Sequence, residues 1–227
     1  MKKVVFLSGA GVSKESGINT FRDSGGLWEN YNVEEVATLE GWRRNPKLVQ
    51  QFYNERREQL KNVEPNKAHK LIAKLESDFE VFVVTQNVDD LHERAGSSNV
   101  LHLHGELTKA SNESKSEVID IGYRAIKDGE KASDNSRLRP FIVWFGEQVP
   151  MMDEAVKIIE NTDILVIIGT SLQVYPAASL INFARKNTPI FLIDPNDVTV
   201  NIKNLKVIKE IASKGMEVLT KELKVYM

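Results

Sequence analysis

Val4-Val5-Phe6-Leu7-Ser8-Gly9-Ala10-Gly11-Val12-Ser13-Lys14-Glu15-Ser16-Gly17 decides how the rest of the chain is read. Its first four residues form a continuous apolar run, the mark of a buried strand. A glycine-rich turn follows, and Ile18-Asn19-Thr20-Phe21-Arg22 leads on from it toward a helix. A strand, a glycine turn and a polar helix opening together make a cradle for phosphate. Glycine lets the backbone approach an anion, and the N–H groups of a helix start point at it. The spacing departs from the dinucleotide fingerprint: Gly9 and Gly11 fit G-x-G, but the third glycine position falls on Lys14. Taken alone, the stretch also suits a plain tight turn that packs a helix on a strand.

Further apolar runs extend the pattern. Val81–Val84, Val100–Leu103, Ile164–Ile168 and Ile190–Ile193 read as strands, and Leu205–Ile208 as a weaker one. Continuous β-branched runs bounded by polar or glycine turns fit a parallel sheet covered on both faces. Helical patterns alternate with them. Asn66 can cap a helix whose Ala68, Leu71, Ile72 and Leu75 share one face. Met151–Glu160 gives another, and Pro176 suits the first turn of a third that carries Ala177, Leu180, Ile181 and Ala184. The expectation is an α/β fold, a doubly wound parallel, Rossmann-like sheet.

Two regions interrupt the alternation. Residues 23–60 look helical, and residues 106–139 are polar, with loop signals at Ser111–Ser116 and Lys127–Lys131. They are expected to build a small inserted lobe, approximately 23–60 and 106–142. The Rossmann-like core would then be approximately 1–22, 61–105 and 143–227, all within one catalytic domain.

Composition narrows the possibilities. The 227 residues, 41% hydrophobic, suffice for one large core. A net charge of −2 gives no global field for nucleic acid. The chain has no cysteine, which excludes disulfides, thiolate metal sites and a cysteine nucleophile. The apolar run after Met1-Lys2-Lys3 is too short for a signal peptide, and none approaches membrane-spanning length. A cytoplasmic protein without nucleic-acid or membrane partners is expected.

The strand ends carry the candidate chemistry. In an open parallel sheet, ligands bind outside the carboxyl ends of the strands. Gln86, Asn87 and Asp89 follow the second strand and would share the rim of the Gly9–Gly11 turn, although Asn and Asp also serve there as helix caps. His104 ends the next strand, where a histidine can act as a general base near neutral pH or can be structural. His102 shares its strand face, so a two-histidine metal site is conceivable, but no acidic pattern nearby completes a ligand set. Gly169-Thr170-Ser171 and Asp194-Pro195-Asn196 follow two more strands. One extended ligand crossing the rim accounts for all of them, and a dinucleotide has the right length.

Taken in order, these residues resemble the sirtuin family. The matching pieces are Gly9–Ser13 with Gly17-Ile18 and Phe21-Arg22, then Thr85–Asp89, Leu103-His104-Gly105, Val143–Glu147 and Gly169-Thr170-Ser171. Pro65–His69 is similar too. The resemblance implies NAD-dependent removal of acyl groups from lysine side chains of proteins or peptides, releasing nicotinamide and O-acyl-ADP-ribose. It assigns Gly9, Ala10, Gly11, Arg22, Gly169, Thr170 and Ser171 to the phosphates and adenosine half of NAD, and Phe21 to the cofactor site as well. Gln86, Asn87 and Asp89 would organise the nicotinamide end, with Asn87 and His104 catalytic and His104 the general base. Asp194 and Ala212 would border adenine. Val143, Phe145, Gly146 and Glu147 would present a backbone edge to the substrate peptide.

Two further expectations follow from the resemblance. Phe52–Arg57 and Thr20 are similar to the branch that accepts succinyl- and malonyl-lysine, so Tyr53 and Arg56 are expected to clamp an acyl carboxylate by charge-assisted hydrogen bonds. An anonymous reading of that pair is a surface arginine beside a half-buried tyrosine. Most sirtuins hold structural zinc with four cysteines in the small lobe, and here Gly105–Trp144 has none. No metal is expected. Support would come instead from Val118, Ile119, Ile121, Tyr123 and Ile126 or from polar contacts. The competing readings are NAD hydrolysis or ADP-ribosyl transfer, a non-catalytic NAD-binding module and, last, a Rossmann dehydrogenase. The oligomeric state stays open.

Overall fold

The computed structural model describes residues 1–18, 30–198 and 202–227. In chain order the strands are β1 (Lys3–Ser8), β2 (Glu80–Thr85), β3 (Val100–His102), β4 (Gly105–Ser111), β5 (Val118–Asp120), β6 (Arg139–Ile142), β7 (Ile164–Ile168), β8 (Ile190–Ile193) and β9 (Leu205–Ile208). The helices are α1 (Val33–Val36), α2 (Leu39–Arg44), α3 (Pro46–Lys61), α4 (Lys67–Lys74), α5 (Leu91–Arg94), α6 (Met152–Glu160) and α7 (Ala212–Glu222).

Six strands form one parallel sheet in the order β3-β2-β1-β7-β8-β9. The order reverses between β1 and β7, and the crevice at such a switch point is where open α/β sheets bind ligands. Alternate residues of the apolar runs feed two cores, as the pleat requires. Val4, Phe6, Val83, Val166 and Ile168 pack under α4 and α7, while Val5, Leu7, Leu165, Ile167 and Leu192 pack under α6. At the switch point the loops after β1 and β7 lie backbone against backbone. Gly169 has φ +63, and a Cβ there would stand 2.3 Å from the Val12 amide nitrogen, so only glycine fits.

The small lobe joins the helices α1–α3 to a second, antiparallel sheet in the order β5-β4-β6. Sequence reasoning read residues 106–139 as polar loops and missed these strands. β4 carries Glu106, Thr108 and Lys109 and gives no apolar run. Its pairing to β6 and β5 makes the strand, not its composition. Three smaller differences follow. The segment after Pro176 is a 3-10 helix, Ala177–Phe183, rather than an α-helix. Val118 is 43% exposed on the edge strand β5 and does not support the lobe. Tyr123 packs toward the cluster around Trp144 and Phe52, leaving Ala110, Ile121, Ile126 and Leu138 as the lobe's own small core.

Polar side chains tie the cysteine-free turns together. Asn112 Nδ2 donates to Ser116 Oγ and to Asp134 Oδ2, both at 2.9 Å, and Asn112 Oδ1 accepts the Glu117 amide at 3.2 Å. Ser133 donates its hydroxyl to Glu117 Oε2 at 2.5 Å, and Ser136 Oγ accepts the Glu113 amide at 3.3 Å. Among the described residues no group of three or more His, Cys, Asp and Glu side chains is placed to hold a metal ion. No described helix is long and apolar enough to cross a membrane.

Candidate active site

A cavity of about 460 Å³ opens along the carboxyl ends of β1, β2, β7 and β8 and runs under the small lobe. Every predicted site residue among the described residues lines it. At the sheet rim these are Gly9, Ala10, Gly11, Gln86, Asn87, Asp89, His104, Gly169, Thr170, Ser171, Asp194 and Ala212. On the lobe side they are Tyr53, Arg56, Val143, Phe145, Gly146 and Glu147. Phe21 and Arg22, and Thr20 with them, lie outside the described residues.

The glycine turn is built differently from a plain helix N-terminus. Gly9 donates its amide to Ile168 O at 3.0 Å and Gly11 to Gly169 O at 2.8 Å. The two glycines therefore knit the first loop to the end of β7, and the segment continues as short 3-10 turns, Ala10–Val12 and Lys14–Ser16. Side chains are absent from three of the positions that line this wall, which leaves it open to a bulky anion.

Asn87 and Asp89 are both buried and are set by one hydroxyl. Ser13 Oγ donates to Asp89 Oδ2 and accepts from Asn87 Nδ2, each at 3.0 Å. Burial raises the Asp89 carboxyl, opposed by the Ser13 and Leu91 hydrogen bonds and the charges of His102 and Arg56. Gln86 reaches across the switch point, its Nε2 donating to Thr170 Oγ1 at 3.2 Å. Asp194 is held by the Asn196 amide at 2.9 Å.

His104 lies just past β3, half-buried. Its Nδ1 meets Gln86 O at 3.1 Å. A carbonyl can only accept, so Nδ1 carries the proton and the lone pair sits on Nε2. Burial lowers its pKa, against the Gln86 hydrogen bond that raises it, so the ring is neutral at ordinary pH. His102 is a different group. Its Nδ1 donates to Asn87 O at 2.8 Å, and its Nε2 meets Glu93 Oε1 at 2.7 Å. Burial opposes its charge, but Glu93, the Asn87 carbonyl and Glu106 together outweigh burial and raise its pKa. With both His102 nitrogens engaged, the two histidines do not form a metal pair.

On the lobe side, α3 brings Tyr53 and Arg56 to one face, as residues three apart on a helix must be. The Arg56 guanidinium sits 5.7 Å from the Phe52 ring centroid and 6.0 Å from that of Tyr53. Burial pushes the Tyr53 phenol up to about 12. The expected backbone edge is narrower than Val143–Glu147. Phe145 already pairs with residues 37 and 39, donating to Ala37 O at 3.0 Å and accepting from Leu39 at 3.1 Å. The Glu147 side chain is engaged inside the lobe, accepting from Arg139 at 2.9 and 3.1 Å and from Lys115 at 2.8 Å.

The profile of the Sir2 family matches residues 9–176. The chain belongs to the Sir2 family. Among its relatives, an NAD-dependent protein deacylase of Bacteroides thetaiotaomicron is 52% identical over 231 residues, covering 96% of this chain and 97% of the relative. One of Helicobacter pylori strain J99 is 52% identical over 227 residues, covering 98% and 96%. The crystal structure of a Sir2 homologue–NAD complex superposes with a TM-score of 0.88 at 38% identity, covering 99% of this chain and 90% of that one.

Within this Sir2 domain, sequence reasoning gave no role to Ser13 or Trp144, although both stand inside the quoted motifs. The signals for them are spatial. Ser13 joins Asn87 and Asp89 across 74 and 76 residues. Trp144 lines the cavity and donates its indole N–H to the Tyr53 hydroxyl across 91 residues. The lining suits a dinucleotide such as NAD: side-chain-free backbone at Gly9, Gly11 and Gly169 leaves room for an anion, and hydroxyl, amide and carboxylate groups at Thr170, Asn87, Asp89 and Asp194 can meet hydroxyls and a carboxamide.

Proposed function

We propose that this Sir2-family chain is an NAD-dependent protein-lysine deacylase that favours acyl groups ending in a carboxylate, succinyl and malonyl, with acetyl removal as a second activity. The observation that carries the reading is one cavity shared by the glycine loops, the neutral His104 imidazole and the Tyr53–Arg56 face of α3. The division into a core of residues 1–22, 61–105 and 143–227 and a lobe of 23–60 and 106–142 belongs to the same proposal.

NAD supplies the ribosyl–nicotinamide bond whose cleavage drives the acyl transfer. The chain's own residues do the rest. Gly9, Ala10, Gly11, Gly169, Thr170 and Ser171 hold the phosphates and ribose, with Asp194 and Ala212 beside adenine. Asn87 and Asp89, fixed through Ser13, orient the nicotinamide end. His104 Nε2 accepts the proton of a ribose hydroxyl, and Gln86 O keeps the imidazole in the tautomer that can do so. A base whose pKa lies near the working pH typically contributes ~10²–10⁴-fold in rate. Val143 and its neighbours align the peptide, and the Arg56 fork with the Tyr53 hydroxyl binds the acyl carboxylate. A guanidinium suits that task because it offers parallel donors to a planar carboxylate.

The test offers one peptide bearing succinyl-lysine and the same peptide bearing acetyl-lysine, with and without NAD, and follows products by mass spectrometry. NAD-dependent succinyl loss with O-succinyl-ADP-ribose supports the proposal. Arg56→Met should cut succinyl turnover much more than acetyl turnover, and equal losses would count against the clamp. NAD consumed with both peptides intact would favour NAD hydrolysis or ADP-ribosyl transfer.

A further inference from the structure

The hydroxyl of Tyr53 is directed by a residue to which neither the sequence reading nor the proposed clamp gives a part. Trp144 Nε1 donates to Tyr53 Oη at 3.0 Å, and both rings are buried. An indole N–H can donate and never accept, so the sense of this bond is fixed: Tyr53 accepts. A phenol oxygen carries its proton and its accepting lone pair on opposite sides of the C–O axis. With the accepting side filled by Trp144, the Tyr53 proton is turned to the other side. Among the described residues Tyr53 Oη makes no further hydrogen bond, and both rings line the cavity beside Arg56.

Trp144 is itself held hard. The Arg139 guanidinium lies 3.7 Å from its ring centroid, and the Trp42 ring packs at 5.2 Å. Its backbone N–H donates to Glu147 Oε2 at 2.9 Å, and Glu147 is clamped by Arg139 and Lys115. These contacts hold the indole where its N–H meets the phenol.

We infer that Trp144 is a positioning residue that makes the Tyr53 hydroxyl an obligatory donor toward the acyl end of the substrate, and so favours acyl chains that end in a hydrogen-bond acceptor, a carboxylate above all. The inference rests on the Tyr53–Arg56 clamp proposed above. Without the indole N–H, the phenol can turn its lone pair toward the acyl end, where a carboxylate is repelled and an acetyl methyl is indifferent. Burial keeps the phenol protonated and able to donate at assay pH, since its pKa stands at about 12.

The experiment measures kcat and KM separately for succinyl and acetyl versions of one peptide. The variants are Trp144→Phe, Tyr53→Phe, their double, Arg56→Met, and a protein with benzothienylalanine at position 144. That last residue keeps the shape of the indole and lacks the N–H, so it holds the packing if Trp144→Phe folds poorly. The expected result is a ratio of succinyl to acetyl kcat/KM lowered about tenfold to a hundredfold by Trp144→Phe and by the isostere, mainly through the succinyl KM, the size expected for one lost charge-assisted hydrogen bond. The double variant should lose no more of that ratio than Tyr53→Phe alone. A ratio unchanged by both Trp144 variants overturns the inference, as does a double variant whose loss is the product of the singles. If Arg56→Met and Tyr53→Phe leave the ratio unchanged, the clamp itself is refuted and the inference falls with it. If they lower the ratio and the Trp144 variants do not, the clamp stands and the inference alone falls.

Discussion

Replacing Glu147 with alanine should destabilise the fold far more than a surface ion pair would suggest. Arg139 is 1% exposed, and Glu147 is its counter-charge, accepting two hydrogen bonds from it at 2.9 and 3.1 Å. The same carboxylate accepts from Lys115 Nζ at 2.8 Å and from the Trp144 amide at 2.9 Å. Glu147→Ala leaves the Arg139 cation buried without its counter-charge, a loss that typically costs about 3–5 kcal/mol. For a chain of this size each kcal/mol lowers the melting temperature by about 2–4 °C, so a fall of about 6–20 °C is expected. Thermal unfolding followed by circular dichroism reads it directly. The pH dependence gives an independent check. Burial raises the Glu147 pKa, but the bonds from Arg139, Lys115 and Trp144 outweigh it and hold it below the usual 4.5. A depressed carboxylate stabilises the fold above its unfolded pKa and loses that contribution as pH falls through its folded value. The melting difference between wild type and Glu147→Gln should therefore be constant above about pH 5 and shrink in more acid solution. A fall of less than about 2 °C for Glu147→Ala, or a difference that does not shrink in acid, would refute the account of a buried charge held by its partner.

His104→Ala should lower turnover by about 10²–10⁴-fold while the melting temperature barely moves, and near-normal turnover would remove His104 from the base role. In the wild type, the limb of the rate profile set by this imidazole should fall on the acid side of its ordinary value of 6.5, because burial holds its pKa down and a base must be unprotonated to act. His69 is buried with its pKa lowered to about 4, chiefly by burial. The neutral ring is favoured in the fold, so stability present above pH 6.5 should be lost as pH falls toward about 4, and His69→Gln should flatten that slope in a urea series. Asn112→Ala removes side-chain bonds to Ser116, Asp134 and Glu117 and should cost about 2–3 kcal/mol, measured by urea unfolding; a loss under about 0.5 kcal/mol would show that these turns do not depend on the side chain.

The sheet was legible because its residues say the same thing at every level. Ile164–Ile168 and Ile190–Ile193 are entirely apolar and entirely buried, the pattern of a strand in a parallel sheet covered on both faces. Asn66 announced a helix start and performs it, its Oδ1 accepting the Ala68 amide at 2.8 Å. The rim residues were legible for a topological reason: parallel strands deliver their carboxyl ends to one edge, so loops far apart in sequence can be read as neighbours. β4 was not legible, since Glu106, Thr108 and Lys109 break up any apolar run in it and its partner β6 lies beyond two loops. The Pro176 segment misled because proline suits the first turn of an α-helix and of a 3-10 helix alike. No local spacing reveals Ser13 between Asn87 and Asp89, or Trp144 against Tyr53, because hydrogen bonds across more than seventy residues leave no periodic trace.

That contrast follows the division of labour in the cavity. The wall that would hold NAD is backbone and short side chains on the rim of a sheet whose strands are buried on both faces, so its geometry is set by the core itself. The wall that would read the acyl group stands on α3 and on the turn after β6, packed against Ile18 and Leu91 of the core but outside the two layers that sandwich the parallel sheet. It is positioned by a relay of side chains that runs from Lys115 through Glu147 and Arg139 to Trp144 and Tyr53. Lys115 lies on the same turn that Asn112 ties to Asp134, so the polar lacing of the cysteine-free lobe and the orientation of the phenol belong to one connected structure. Loosening that lacing should therefore reach acyl selectivity before it reaches NAD binding. An Asn112→Ala protein that keeps its NAD affinity and loses its preference between succinyl and acetyl peptides would show the relay at work. Equal loss of both would show that the lobe and the rim stand or fall together.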